Sequence, residues 1–169
     1  LRDLGNSKDA ALSVRKAIEL KPDLATAHLN LGIILRDLGN SKDAELSYRQ
    51  AIQLNPNLVE AHYNLGNTLQ DLNNLKDAEY AYRKAIQLNP NLAQAHSNLG
   101  NILKDLNKLK DAESSYRKAI QLNPDYAEAH SNLGTILLDL GKLQDAESSL
   151  LKAIELKSDY AEAYLNLGT

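Results

Sequence analysis

Five asparagines stand 34 residues apart, at Asn30, Asn64, Asn98, Asn132 and Asn166, each followed by Leu and Gly. Asp3, Asp37, Asp71, Asp105 and Asp139 keep the same period, and so do His28, His62, His96 and His130. Each group suggests a different chemistry. A side-chain amide has both a donor and an acceptor and can pair with a peptide group of any sequence. A row of carboxylates favours basic segments. Repeating imidazoles suggest a metal centre or a proton relay, but spacing rules this out: packed helices lie about 8–10 Å apart, whereas zinc ligands sit about 2 Å from their metal. Tyr164 takes the histidine position in the last copy, as a packing role allows and a ligand role does not. Catalysis needs unlike groups converging asymmetrically in a pocket. No set of residues here breaks the repeat, so no catalytic residue, metal or cofactor is expected. There is neither a Gly-rich phosphate loop nor an N-glycosylation sequon.

The elements that carry these residues follow from the apolar periodicity. At 100° per residue from Ala25, His28, Leu31, Gly32, Leu35 and Leu38 share one helix face, and Thr26, Asn30, Ile33 and Asp37 share the opposite one. The first face packs. The second presents an amide and a carboxylate in every copy. Asn is mildly unfavourable inside a helix, so something other than propensity holds it there, either a ligand or a local structural bond to a neighbouring helix. Carboxylates in the last turn oppose the helix dipole, which weakens a purely structural reading of the Asp row.

Gly32, Gly66, Gly100 and Gly134 lie inside helical patterns, where glycine costs about 1 kcal/mol against alanine; close helix approach is the expected compensation. Ala44, Ala78, Ala112 and Ala146 supply the matching small surface on a second helix. Gly5, Gly39, Asn73, Asn107 and Gly141 are expected to end the first helices in the left-handed conformation. Pro22, Pro56, Pro90 and Pro124 follow the second helices. The Asp or Asn after each proline, with Glu60, Gln94 or Glu128 three residues on, predicts capping boxes. Glu45–Arg49, Glu79–Arg83 and Glu113–Arg117 are i,i+4 pairs of the supporting orientation and predict a solvated outer face.

A 34-residue period of two helices, with Leu31, Gly32, Leu35, Ala44, Tyr48, Ala51 and Pro56 in the first complete copy, resembles the tetratricopeptide repeat (TPR). Complete copies are expected at 25–58, 59–92, 93–126 and 127–160, with partial copies at 1–24 and 161–169, in a single array over 1–169. The resemblance implies an all-α, right-handed superhelical solenoid of antiparallel helix pairs whose first helices line a concave groove. It also implies a non-enzymatic scaffold or adaptor that binds extended protein or peptide segments. Within the family, the Ala-His-Ser-Asn-Leu of Ala95–Leu99 is similar to repeats of the O-linked N-acetylglucosamine transferases. There an asparagine ladder hydrogen-bonds the backbone of a bound peptide, which would assign that role to the five asparagines here. Asp37, Asp71, Asp105 and Asp139, and Tyr63 as the one inner aromatic, complete the expected peptide-binding set, with basic segments favoured. A recruiting arm of a larger enzyme, such as a glycosyltransferase, is the alternative. The groove lysines and arginines with which chaperone-tail receptors of the family clamp a carboxylate are absent from the corresponding positions Leu29, Ile33, Tyr63, Asn67, Ser97 and Asn101.

Nineteen basic and 22 acidic residues give a formal charge of −3, so neither nucleic acid nor a membrane surface is an expected partner. No apolar run approaches a membrane span, and the chain has no cysteine. The cytoplasm is the default location. The chain starts at Leu1 partway through a repeat and reads as a fragment. Leu1, Leu4 and Leu12 at one end and Ala163, Tyr164 and Leu167 at the other are expected to be exposed, either covered by flanking repeats or stacked head to tail in self-association.

Overall fold

The structure is a computed structural model that describes residues 2–168, with side chains from residue 7 onward. Among these residues it is all-α, in the order α1 (Arg2–Leu20), α2 (Ala25–Asp37), α3 (Ser41–Leu54), α4 (Val59–Asp71), α5 (Leu75–Leu88), α6 (Ala93–Asp105), α7 (Leu109–Leu122), α8 (Ala127–Asp139), α9 (Leu143–Leu156) and α10 (Ala161–Leu167). The chain divides into two compact units, 1–89 and 90–169. In the first, α2 packs on α3 and α4 on α5, with α3 against α4; in the second, α6 packs on α7 and α8 on α9, with α7 against α8. Connections this short force each pair to run antiparallel.

The glycines explain how closely the pairs approach. A Cβ on Gly32 would sit 2.6 Å from the Tyr48 ring, and one on Gly66 or Gly100 would meet Tyr82 at 2.7 Å or Tyr116 at 2.6 Å. The closest neighbour is thus the aromatic ring and not the alanine expected from the sequence, although Ala44, Ala78 and Ala112 are fully buried beside it. In the last pair Leu150 takes the tyrosine's place, 2.6 Å from a Cβ on Gly134. The ring therefore lies directly on the glycine backbone.

The helix stops follow the expected chemistry at four sites. Gly39, Asn73, Asn107 and Gly141 have φ between 57° and 79°. At Gly39 the backbone N–H of Asn40 reaches Leu35 O at 2.8 Å and that of Gly39 reaches Arg36 O at 2.9 Å, the Schellman pattern. Gly5 is different: α1 runs through it without a break.

The capping boxes are not formed. The N-caps are Leu24, Leu58, Leu92 and Tyr126, none with a side-chain cap bond. The Pro-Asn or Pro-Asp pair is consumed in a turn, which displaces the polar residue from the cap by one position. The side chain one residue before the proline acts instead: Asn55 Oδ1 accepts from the Asn57 N–H at 3.1 Å, and Asn123 Oδ1 from the Asp125 N–H at 3.3 Å.

The outer pairs form, with Arg49 Nε 2.8 Å from Glu45 and Arg83 and Arg117 within 3.0 Å of Glu79 and Glu113. They are less solvated than expected, because the Glu113 side chain is only 12% exposed and also bonds Lys142 Nζ at 2.8 Å. At the ends, Leu12 and Tyr164 are exposed as expected. Ala163 is buried and Leu167 packs on the cluster of Leu150 and Ala153, so Leu165 is the exposed leucine there. Leu1 and the Leu4 side chain lie outside the described residues.

Candidate functional site

Asn, Asp and the residue three after each Asn share one face of every first helix, opposite the packing face. In the unit spanning 1–89, Asn30 and Asp37 on α2 are exposed. Asn64 on α4 is half-buried and makes no side-chain hydrogen bond among the described residues; Asp71 accepts from Arg36 Nε at 3.0 Å, tying α4 to α2. Tyr63 is half-buried against Tyr82, with ring centroids 6.1 Å apart and planes at 57°, so one side of its ring is already engaged. The buried Tyr82 hydroxyl lies 2.7 Å from Asn67 Oδ1 and 3.1 Å from Gln70 Oε1, two acceptors sharing one proton.

The unit spanning 90–169 carries Asn98 and Asp105 on α6, Asn132 and Asp139 on α8, and Asn166 on α10. All three amides are half-buried and both carboxylates are exposed. Asn132 Nδ2 donates to Asn101 Oδ1 at 3.1 Å, and the Tyr116 hydroxyl donates to the same oxygen at 2.7 Å. One repeat on, Asn166 Nδ2 donates to Thr135 Oγ1 at 3.0 Å. Each of these amides thus gives one N–H to the preceding first helix. Asn132 keeps its carbonyl oxygen and its second N–H for other partners.

Burial pushes the Tyr116 hydroxyl pKa well above its usual value, and the Asp105 carboxylate adds to the shift. At Tyr48 burial is again the main cause; Arg36 opposes it and Asp37 reinforces it, for a value of about 12. The hydroxyls therefore stay protonated as donors over the whole neutral range. Asp37 and Asp105 both act on the face as negative charges.

Several sequence-based assignments shift. Leu29 and Ser97, taken as inner positions, are 4% and 2% exposed and belong to the core. The histidines pack as expected but also bond: Nε2 of His28, His62, His96 and His130 lies 2.9–3.0 Å from the carbonyl oxygen of Pro22, Pro56, Pro90 and Pro124. A carbonyl only accepts, so Nε2 carries the proton and fastens the helix to the turn that precedes it. Asn101 and Thr135 are the residues missed as partners of the asparagines. Their signal was their place three residues after an asparagine, on the same face, within reach of the next helix's amide.

Among the described residues no group of His, Cys, Asp and Glu could hold a metal, and no helix is long and apolar enough to cross a membrane. Comparison with curated proteins gives no match. Among solved structures, MamA superimposes with a TM-score of 0.88 at 26% identity, over 95% of this chain and 94% of that one. YrrB, described as a TPR protein with an unusual peptide-binding site, superimposes with a TM-score of 0.87 at 25% identity, over 100% and 87%. A MamA fragment from Desulfovibrio magneticus RS-1 shares the fold at 22% identity, with a TM-score of 0.85 over 93% and 89%. A TPR repeat model matches residues 33–73, 100–141 and 134–169, and two tetratricopeptide repeat models match 59–92 and 81–114. Those matches take in most of the chain, which belongs to the tetratricopeptide repeat family.

Proposed function

We propose that the chain is a protein-interaction scaffold whose first-helix face binds extended peptide segments through the asparagine side chains. One observation carries the reading: Asn132 is half-exposed, oriented by a bond to Asn101, and retains an acceptor and a donor. An amide held this way loses little freedom on binding, which removes part of the ordering cost that weakens flexible polar contacts. A peptide bonded by several such amides would gain about 0.5–1.5 kcal/mol from each, so the reading requires several copies acting on one strand. Exposed Asp105 and Asp139 favour basic segments. The peptide-binding site described for YrrB, and the similarity of the repeats to the asparagine-bearing repeats of the glycosyltransferases, support the same reading. No catalytic role is assigned to any residue.

A peptide-array screen with the protein and with Asn64, Asn98 and Asn132 changed to Ala tests this. Expected are weaker binding and an unchanged helical spectrum. Equal binding by the triple variant would remove the asparagines from the mechanism.

A further inference from the structure

A second recess lies on the packing side of α4, away from Asn64, between α3, α4 and α5. It encloses about 460 Å³, within the range of about 300–1,000 Å³ usual for small-ligand clefts. Ile52, Leu65 and Leu69 supply apolar walls, and Tyr80 and His62 complete them. Tyr80 is 63% exposed, with Lys84 Nζ 5.7 Å from its ring centroid.

The polar groups narrow the chemistry. His62 Nε2 donates to Pro56 O at 2.9 Å, so in the neutral ring Nδ1 carries a lone pair. Among the described residues His62 makes no other side-chain bond and no fully occluded side-chain nitrogen lacks a partner, so Nδ1 keeps some contact with solvent although the ring is buried. At the rim, Arg49 lies 2.8 Å from Glu45 and 3.5 Å from Asp77. With Lys84 beside Tyr80, two cations face two carboxylates and the rim carries no net charge. The cleft is therefore complementary to a flat, neutral apolar ring that carries an N–H donor.

We propose that this cleft takes the tryptophan side chain of a partner polypeptide, with the indole seated against Tyr80 and its N–H directed to His62 Nδ1. Tryptophan combines a large apolar ring with a single donor, and such side chains are frequent anchors of protein interfaces. The corresponding recess in the other unit, about 420 Å³ beside His130 and Leu133, has Ser148 where Tyr80 stands and Lys152 at its edge. It lacks the aromatic wall, while Lys152 is the counterpart of Lys84 beside Tyr80. The tryptophan site is thus specific to α3–α5, and it stands independently of peptide binding at the asparagine face.

The chain contains no tryptophan, so the fluorescence of a neutral probe, N-acetyl-tryptophanamide, reports binding directly. Expected are saturable quenching or a blue shift and NMR shifts at His62 and Tyr80 but not at His130. The 1-methylindole analogue should bind about 2- to 12-fold more weakly, the equivalent of one neutral hydrogen bond. Tyr80→Ser, which installs the residue found at position 148, should weaken the probe at least severalfold with the fold unchanged. Non-saturable binding, equal affinity for the methylated analogue, or full affinity in Tyr80→Ser would each overturn the proposal.

Discussion

The Tyr116 hydroxyl and the Asn132 amide meet on one atom, Asn101 Oδ1, at 2.7 and 3.1 Å. Tyr116 is fully buried within the α6–α7 pair, whereas Asn132 lies on the exposed face of α8. The core of one repeat therefore orients a side chain on the surface of the next.

Removing the buried partner gives the first prediction. Tyr116→Phe keeps the ring on Gly100 and deletes only the donor. Urea denaturation should show a loss of about 0.5–1.5 kcal/mol, and the Asn132 side-chain amide resonances should move toward free-amide positions. Unmoved resonances would mean that Asn132 is oriented by something else.

Gly66→Ala tests the ring-on-backbone contact. Alanine gains about 1 kcal/mol in helix propensity, but its Cβ would stand 2.7 Å from the Tyr82 ring, and overpacking of this kind costs about 1–3 kcal/mol. The ring has no room to swing aside, so net destabilisation is expected, read as a lower thermal midpoint. A stabilised variant would show that the pair separates freely.

Glu113 provides an acid-side prediction. The hydrogen bond from Lys142 holds its carboxyl below the usual range, with Arg117 assisting and burial opposing. A depressed folded-state pKa contributes stability above the unfolded carboxylate value of about 4.3, and that contribution disappears as pH falls through the lower folded value. Lys142→Met should therefore cost about 0.5–1 kcal/mol at pH 7 and progressively less in acid. Equal urea-midpoint differences at pH 7 and pH 3 would rule the coupling out.

Tyr48 provides the alkaline counterpart. Its folded pKa of about 12 exceeds the unfolded value near 10, so the neutral hydroxyl favours the fold. This contribution is complete below about pH 10 and is lost as pH rises from there through 12. Absorbance at the tyrosinate band should lag behind that of free tyrosine and rise together with the loss of helical circular dichroism. Ionisation of all the tyrosines near pH 10 with the helices intact would contradict the burial.

Helices and their stops were legible because they depend on local rules. Glycine or asparagine at 39, 73, 107 and 141 marks left-handed backbone that closes the preceding helix, whereas α1 continues through Gly5. The capping boxes misled because sequence spacing cannot tell whether Pro56-Asn57 forms a turn or the first step of a helix; that depends on Asn55 closing back on the chain. The asparagine face was legible as a face. Its internal bonding was not, because the partners of Asn132 and Asn166 stand 31 residues away and depend on the rotation of one helix against the next. The tyrosine-on-glycine contact was hidden for the same reason.

The bond from each histidine to the carbonyl six residues upstream has a kinetic consequence. It closes a loop so short that little chain entropy is lost before the contact forms, and the ring-on-glycine contact spans only sixteen residues, as from Gly66 to Tyr82. Contacts this local give a low contact order, so any helix pair can serve as the nucleus and the neighbouring pairs add by propagation. Mutations that cripple one pair should then split the unfolding transition into stages and leave the remaining pairs folded.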